Sequence, residues 1–190
     1  MSNAREQILQ TTCDLLEKQG YYGTGLNEIV KESGAPKGSL YYYFPEGKEQ
    51  ITAEAVLQSG QRTSERIRDG LTASSNASKA IHDFILLIAE NVERSGFAAG
   101  SPLTAVAMET ATQSERINIA CREAYGMLEV AFLEKLLESG FPKTKAEELA
   151  TFIVASVEGG IILSRVSHTA DPLRLVAKQL KTLLSLYVQT

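Results

Sequence analysis

The sequence predicts an all-α fold of nine helices, in which an N-terminal three-helix domain precedes a larger helical domain. Two observations carry this prediction. Nearly every long segment repeats its apolar residues with the helical period, and none alternates apolar and polar residues as a half-buried strand would. Glycine, proline and small polar residues punctuate these segments where helices would end. At 190 residues, the chain is long enough to bury a substantial core.

Stop and start signals set the bounds of the helices. Gly20 and Gly140 each follow the last apolar position of a helix, where a left-handed backbone ends the helical hydrogen bonding. Asp171-Pro172 opens the last helix, because proline fits a first turn whose N–H groups have no partner within the helix. The predicted helices cover residues 4–19, 26–33, 37–43, 48–71, 79–93, 103–110, 115–139, 144–167 and 171 onward.

Capping signals precede four of these helices. Thr24 or Gly25 can cap the second helix, and Glu28 is placed to reach back to a Gly25 cap. Ser114 is placed to cap the seventh helix. Ser78 is placed to cap the fifth helix, and Thr144 and Glu147 have the spacing of a capping box at the start of the eighth.

Composition excludes several functions. The net charge of −4 argues against a protein that coats nucleic acid by charge alone, although it allows a local binding patch. The longest uninterrupted apolar run, residues 84–89, has six residues, whereas a membrane-spanning helix needs roughly 20. Because the N-terminus is polar, it is not a signal peptide, and we expect a cytoplasmic protein.

No motif indicates a metal, a cofactor or a reaction. Cys13 and Cys121 are too few for a disulfide framework and lie in apolar helical patterns. His82 and His168 have no partner at metal-ligand spacing. The phosphate-binding, dinucleotide-binding and catalytic-serine motifs are all missing, so we expect no cofactor and no metal.

Residues 23–49 carry the strongest functional signal, because they form two short helices joined by a tight turn, a helix-turn-helix. The second helix begins with Lys37, Gly38 and Ser39 and continues with three consecutive tyrosines, residues 41–43. Residues at the start of such a helix can reach base edges, and tyrosine hydroxyls can donate to phosphates. From spacing alone, a small helical bundle with an aromatic seam explains the pattern equally well.

The segment also resembles the DNA-binding domain of TetR-type transcriptional regulators. The resemblance covers about the first fifty residues, and the order of nine helices fits the family over the whole chain. The residues that carry it are Thr24-Gly25-Leu26-Asn27-Glu28-Ile29-Val30, Ser33-Gly34-Ala35-Pro36-Lys37-Gly38-Ser39-Leu40-Tyr41-Tyr42-Tyr43-Phe44 and Lys48-Glu49.

The resemblance implies a DNA-binding domain over residues 1–47 and an effector-binding and dimerisation domain over residues 48–190. Most members have two residues between the phenylalanine and the lysine, but residues 45–47 place three here, which affects the reach of Lys48. The implied phosphate contacts are Thr24, Asn27, Tyr41, Tyr42 and Lys48, and the implied base-edge contacts are Lys37, Ser39 and Tyr43, with close approach at Gly38.

Two further segments resemble one subgroup of the family. These segments are Gly100-Ser101-Pro102-Leu103, followed by Ala107-Met108-Glu109-Thr110, and Glu158-Gly159-Gly160-Ile161. The subgroup consists of repressors that control a lincomycin-resistance operon and flavonoid degradation and that respond to flavonoids. The resemblance therefore implies a flavonoid as the effector.

The last two helices are candidates for a homodimer interface. Gly159 and Gly160 lie mid-helix, where each glycine costs about 1 kcal/mol relative to alanine. A close helix crossing would explain that cost, and a local kink is the alternative. The family resemblance implies a four-helix interface. The predicted interface residues are Gly159, Gly160, Leu180, Leu183, Leu184 and Tyr187.

The middle helices bring aromatic residues and methionines that are typical of a pocket for flat apolar molecules. Each of these residues is, taken singly, also typical of core packing. The predicted lining is Phe84, Ile88, Phe97, Met108, Tyr125, Met127, Leu128 and Phe132, with Glu109, Arg122 and Glu158 as candidate polar groups.

The sequence thus predicts a homodimeric, ligand-responsive repressor that binds a palindromic operator and is released by a small apolar effector. One alternative is a helical dimer that binds a small molecule or another protein without binding DNA. An enzyme with Glu109 or Glu158 as its base is disfavoured, because no nucleophile, metal or cofactor motif accompanies them.

Overall fold

The computed structural model describes residues 4–98, 100, 102–110 and 112–187. These residues form nine α-helices and no strand, which confirms the all-α prediction. Apart from the end of the first helix, the observed bounds lie within two residues of the predicted ones. The helices are α1 Ala4–Gly23, α2 Leu26–Ser33, α3 Lys37–Tyr43, α4 Lys48–Leu71, α5 Ala77–Arg94, α6 Pro102–Thr110, α7 Glu115–Glu138, α8 Lys143–Ser167 and α9 Asp171–Tyr187.

The predicted break at Gly20 is present inside α1. Gly20 has a φ of 70° and a ψ of −174°, a backbone conformation that residues with a Cβ rarely adopt. The chain then makes one further turn, which closes when the Thr24 N–H donates to the Tyr21 carbonyl at 3.2 Å. Helix α1 is therefore two helical pieces joined at the predicted stop.

Two of the predicted caps are present and two are wrong. Gly25 is the N-cap of α2, and the Ile117 N–H donates to the Ser114 hydroxyl oxygen at 3.3 Å at the start of α7. Asn76 caps α5, because its side chain accepts the Lys79 N–H at 2.9 Å, while Ser78 is buried and donates to the Lys181 carbonyl. Helix α8 begins directly after Pro142, without a side-chain cap. Thr144 and Glu147 therefore do not form a capping box.

The Glu28 side chain also has a different partner. Its Oε2 accepts a hydrogen bond from Gln19 Nε2 at 2.7 Å, and Gly25 caps α2 with no side-chain bond. Glu28 consequently links α2 to the end of α1, and so it contributes to tertiary packing.

The chain divides into two compact units. The first contains Met1–Arg62 and Ser101–Tyr125, and the second contains Thr63–Gly100 and Gly126–Thr190. The segment predicted to bind DNA lies in the first unit, together with α6. The functional boundary after residue 47 remains a prediction.

In the first unit, α1 packs against α2, α3 and α6. Polar contacts add to this packing between α1 and α4: Glu6 accepts hydrogen bonds from Gln58 and Arg62, and the Cys13 thiol donates to the Ala55 carbonyl. The fully buried apolar side chains of this unit include Ile8, Leu16, Ile29, Leu40, Phe44, Ile51, Leu103 and Ile117.

In the second unit, α9 packs against both α5 and α8. The Phe84 and Phe132 rings meet edge to face, with centroids 6.3 Å apart, and join α5 to α7. Arg68 and Glu134 pair at 2.7 Å between the later parts of α4 and α7.

One described helix, Lys143–Ser167, is long and apolar enough to cross a membrane by length and composition. The prediction from uninterrupted runs overlooked it, because polar residues and glycines interrupt its apolar positions. Buried core helices pass the same test, and 39% of the apolar window of α8 is buried.

We predict that Gly60→Ala destabilises the protein by about 1–3 kcal/mol, because a Cβ there would lie 2.6 Å from the Ala124 Cβ and 2.8 Å from its Cα. Gly126→Ala is the matched control. A Cβ at Gly126 meets open space, so the change should stabilise its helix by about 0.5–1 kcal/mol. Urea denaturation measures both changes. Equal effects would contradict close packing at Gly60.

Candidate nucleic-acid interface

Two buried side chains fix the orientation of α3. Leu40 and Phe44 lie four residues apart, one helical turn, and both are fully buried. Because α3 has only seven residues, these two side chains determine which face turns inward. The Phe44 N–H ends the helix by donating to the Leu40 carbonyl at 2.9 Å.

The exposed surface of α3 carries most of the predicted DNA contacts. Lys37, Gly38 and Tyr41 are exposed, and the Tyr42 side chain is 78% exposed. The Tyr42 and Tyr43 rings meet edge to face at 5.0 Å. Ser39 and Tyr43 are half-buried at the margin of this face. The structure therefore brings all six predicted α3 residues to one exposed or partly exposed surface.

The turn between α2 and α3 is fixed by local contacts. Gly34 has a φ of 65°, in the left-handed region that favours glycine. The Ser33 hydroxyl accepts the Ala35 N–H at 3.3 Å, and the Ser39 N–H donates to the Pro36 carbonyl at 2.8 Å. These bonds hold the start of α3 in place.

The two predicted phosphate contacts that precede α3, Thr24 and Asn27, have different surroundings. Asn27 is exposed in the first turn of α2. Thr24 is buried, and its hydroxyl donates to the Gly20 carbonyl at 2.7 Å, which closes the turn after α1. The Thr24 hydroxyl is therefore not on the surface that carries the other residues.

The three residues between Phe44 and Lys48 are accommodated by Gly47, whose φ is 75°. Its N–H donates to the Phe44 carbonyl at 3.0 Å, which makes a tight turn. Glu46, at the tip of this turn, forms an ion pair with Arg116 of α7. The longer connection thus adds a contact to α7.

Lys48 opens α4 and is half-buried. Its Nζ lies 4.2 Å from the centroid of the Tyr21 ring, a cation–π contact. Burial lowers the pKa of Lys48 below its usual value, and the negative charge of Glu109 partly opposes that shift. The ammonium group is held over Tyr21 near the start of α4.

Glu109 and Gln113 contact residues 20–24, which we call the α1–α2 turn. Sequence reasoning missed this contact. The Tyr22 N–H donates to Glu109 Oε2 at 2.9 Å, and the Tyr22 hydroxyl donates to the Gln113 side chain. The sequence predicts Glu109 instead as a polar group of an effector pocket. No local pattern could reveal this contact, because Tyr22 and Glu109 are 87 residues apart in sequence.

Neither cysteine has the exposure or the thiolate character of a reactive site. Burial raises the pKa of Cys13 to about 12 and that of Cys121 to about 11. Among the described residues, no group of three His, Cys, Asp or Glu residues could hold a metal ion.

Six predicted pocket residues lie in the second unit. Phe84, Leu128 and Phe132 are buried, whereas Ile88, Phe97 and Met127 are half-buried. Phe84 also packs closely against Gly70 of α4, where a Cβ would overlap its ring. The Phe97 ring meets His168 with centroids 5.6 Å apart.

The other predicted pocket residues lie in the first unit, as do two of the three candidate polar groups. The Met108 side chain is 82% exposed, and the Tyr125 hydroxyl lies 3.3 Å from that of Thr104. Arg122 is exposed, while Glu158, in the second unit, is half-buried. An open groove of about 300 Å³ in the first unit contains none of the eight predicted pocket residues; it is lined by Gln50, Ala53, Glu54, Leu57, Arg116, Ile119 and Ala120.

Three of the predicted interface residues belong to the core of their own chain. Leu180 and Leu184 are buried, and a Cβ on Gly160 would lie 3.0 Å from Leu173 Cδ2. Gly160 therefore allows α8 to approach α9 within the chain. Gly159, by contrast, has open space at its Cβ position.

The remaining two predicted interface residues are nearer the surface. Leu183 is half-buried and Tyr187 is exposed. The Tyr187 ring centroid lies 6.2 Å from that of Phe141, and Lys145 Nζ lies 5.2 Å from the Tyr187 ring. Tyr187 therefore already packs within its own chain.

An exposed apolar stripe along α8 and α9 was not predicted. Its members on α8 follow one face of that helix on either side of Gly159, and its members on α9 are two exposed leucines. Soluble monomers rarely expose extended apolar patches, so such a stripe indicates an interaction surface. Its members are Phe152, Ile162, Leu163 and Val166 on α8 and Leu175 and Leu186 on α9.

A seven-residue helix that exposes lysine and tyrosines, held after a tight turn, defines the chain as a helix-turn-helix protein with a second helical unit. Residues 8–55 match the family described as bacterial regulatory proteins of the TetR family, and residues 77–179 match the LmrA/YxaF-like C-terminal domain of transcriptional regulators. The chain belongs to the TetR family of transcriptional regulators.

Curated relatives agree over nearly the whole chain. The regulator YxaF of Bacillus subtilis is 41% identical over 95% of this chain and 95% of its own length. The regulator LmrA of the same organism is 40% identical over 90% of this chain and 91% of its own length. Both carry the name of HTH-type transcriptional regulators.

Solved structures share the fold. The reduced form of NemR from Escherichia coli has a TM-score of 0.84 at 20% identity, covering 95% of this chain and 96% of that chain. A cysteine mutant of CifR in complex with 26-base-pair operator DNA has a TM-score of 0.76 at 21% identity, covering 93% and 94%. The chain is therefore a TetR-type regulator with a DNA-binding domain, and the prediction that it is not an enzyme is confirmed.

We predict that Lys37→Ala weakens binding to the specific site by about 1–3 kcal/mol and relaxes the preference at one base position, because Lys37 is exposed at the start of α3. Fluorescence anisotropy on a panel of single-base variants measures this. Lys143→Ala removes the same charge from the start of α8 and should leave binding unchanged. An equal loss on every sequence would instead make Lys37 a phosphate contact.

Proposed function

We propose that this regulator is a homodimeric repressor that binds a palindromic operator through α3 and is released by a small apolar effector, with a flavonoid as the first candidate. The observation that carries the DNA-binding part is the exposure of Lys37, Tyr41 and Tyr42 on a helix that the buried Leu40 and Phe44 anchor in the core. A helix of this kind fits the major groove.

The charge of the domain determines how it would bind. Residues 1–50 contain five Lys or Arg and seven Asp or Glu residues, so the domain is not basic overall. Affinity then depends on a few placed groups, namely Lys37, Lys48, the tyrosine hydroxyls and Asn27. We expect salt-sensitive binding to a specific site and weak binding to other DNA.

A homodimer is supported by the apolar stripe on α8 and α9. Gly159 lies within the α8 part of the stripe and has room for the close approach of another helix. The stripe lies on the side of α8 away from Gly160, which packs on α9. A two-fold pairing of α8 and α9 would therefore bury the stripe and leave the core of each chain unchanged.

Dimerisation also matches the way such proteins read DNA. One copy of α3 covers only one half-site. A two-fold dimer presents two copies, whose spacing must match one helical turn of DNA, about 34–36 Å, or a multiple of it. A palindromic operator follows from that symmetry.

The effector site is proposed in the second unit, along α5 and α7. Ile88, Phe97 and Met127 are half-buried, so a ligand could reach them, and the buried Phe84–Phe132 pair supplies an aromatic wall. Resemblance to flavonoid-responsive repressors supports a flat polyphenol. Met108 is left out of this site because its side chain is exposed.

The contact between Phe84 and Gly70 offers a means of response. Gly70 belongs to α4, which runs from Lys48 to Leu71, so a displaced Phe84 would push directly on this helix. The effector can shift the equilibrium only if it binds the released state more tightly than the DNA-bound state.

Fluorescence anisotropy with the DNA upstream of the protein's own gene tests the DNA-binding proposal. We expect saturable binding that weakens as salt rises and that competes poorly with unrelated DNA. Equal affinity for unrelated DNA of the same length would contradict a specific operator.

We predict that Ile162→Glu yields a monomer in sedimentation and weakens operator binding by at least tenfold, because a dimer would bury the added charge without a partner. Leu87→Glu is the matched control, since Leu87 is 46% exposed on α5 and Ile162 is 45% exposed on α8. Gly159→Leu should act like Ile162→Glu by blocking the helix approach. An unchanged dimer for both stripe variants would place the interface elsewhere.

We predict that a flavonoid such as quercetin releases wild-type protein from DNA and that Met127→Arg abolishes this response while operator binding without ligand is kept. A charge placed in an apolar site costs several kcal/mol to desolvate or fills the site with water. Met108→Arg, on an exposed side chain, should respond like the wild type. If the ligand releases Met127→Arg from DNA at the same concentration as the wild type, the effector does not bind at this site.

A further inference from the structure

The turn that joins α1 to α2 is closed by a side chain from α6. Glu109 Oε2 accepts the Tyr22 N–H at 2.9 Å. The other carboxylate oxygen, Oε1, occupies the space where a Cβ of Gly20 would lie. Because Gly20 lacks a Cβ and has a φ of 70°, the carboxylate can approach the backbone closely.

The Tyr22 amide has a physical need for such a partner. The ψ of −174° at Gly20 interrupts the regular helical hydrogen bonding, so amides that follow it depend on acceptors from outside the helix. A carboxylate is a strong acceptor, because hydrogen bonds to a charged group are roughly twice as strong as neutral ones. Glu109 thus replaces a helical partner at the break in α1.

Further contacts extend from this turn toward the DNA-binding surface. The Tyr22 hydroxyl donates to the side chain of Gln113, just beyond α6, and the Tyr22 ring meets the Tyr21 ring at 5.3 Å. Lys48 Nζ lies over the Tyr21 ring, within the field of the Glu109 charge. Glu109 therefore holds the backbone of Tyr22, whose ring packs on Tyr21, and its charge acts on Lys48.

We propose that Glu109 is a positioning residue of the DNA-binding surface, which holds the α1–α2 turn and the Lys48 ammonium group in the arrangement that contacts DNA. Glu109 itself does not touch DNA. The inference rests on the proposed DNA contacts of α3 and Lys48. It also explains why α6 belongs to the same compact unit as α1–α3, although 58 residues separate Tyr43 from Pro102 in the chain.

Two substitutions separate the hydrogen bond of Glu109 from its charge. Glu109→Ala removes both, and we expect operator binding to weaken about tenfold. Glu109→Gln keeps an oxygen that can accept the Tyr22 N–H but has no charge for Lys48, so we expect a smaller loss, about two- to fivefold. Glu123→Ala, an exposed position on α7 in the same unit, should bind as the wild type does.

Amide hydrogen exchange at Tyr22, measured by NMR well below the melting temperature, gives a second readout. Exchange of the Tyr22 amide should be faster in Glu109→Ala and remain slow in Glu109→Gln. Circular dichroism checks that each variant is folded. If Glu109→Ala does not fold, the comparison of Glu109→Gln with the wild type decides the question. Partial rescue by glutamine in both readouts supports the proposal.

Wild-type affinity in folded Glu109→Ala would overturn the proposal and leave the DNA-binding function intact. The proposal would also be overturned if the Tyr22 amide exchanged at the wild-type rate in both variants and both lost the same operator affinity. If wild-type protein bound no specific DNA, the proposed function itself would fail, and the positioning role would fail with it. The wild-type titration thus tells the two failures apart.

Discussion

The DNA-binding surface depends on the burial of Leu40, on α3, and of Phe44, which directly follows the helix. A helix of seven residues is not stable alone in water, so tertiary packing must supply both its existence and its orientation. These two side chains anchor the helix in the core of the first unit, while Lys37, Tyr41 and Tyr42 remain exposed. The turns at Gly34 and Gly47, both with positive φ, then set where the helix begins and where the chain leaves it.

A second constraint comes from sequence-distant contacts within the same unit. Glu109 and Gln113 hold the α1–α2 turn, and Arg116 pairs with Glu46 at the tip of the α3–α4 turn. Two of the turns that frame the helix-turn-helix are therefore secured by residues from α6 and α7 and from the connection between them. A rearrangement of these later helices would displace the two turns directly, and it would give the proposed response to an effector a physical basis.

Local sequence signals were enough to predict the helices but not the contacts among them. Apolar periodicity and the stop at Gly20 are properties of short segments, and the structure agrees with them. Gly159 and Gly160 are adjacent in sequence, but only Gly160 packs against α9, where it meets Leu173, while Gly159 faces open space. The position of α9 decides this difference, so the sequence could not reveal it. The partner of Glu109 was hidden for the same reason, because Tyr22 lies far away in sequence.

We propose that α3 reads DNA as one half of a two-fold dimer. Selection of binding sites from a pool of random DNA by the wild-type protein tests it without assuming any operator sequence. We expect the enriched sites to form an inverted repeat whose half-site centres are about 34–36 Å apart, or a multiple of that distance. Enrichment of a single, unrepeated half-site, or of no sequence at all, would contradict it.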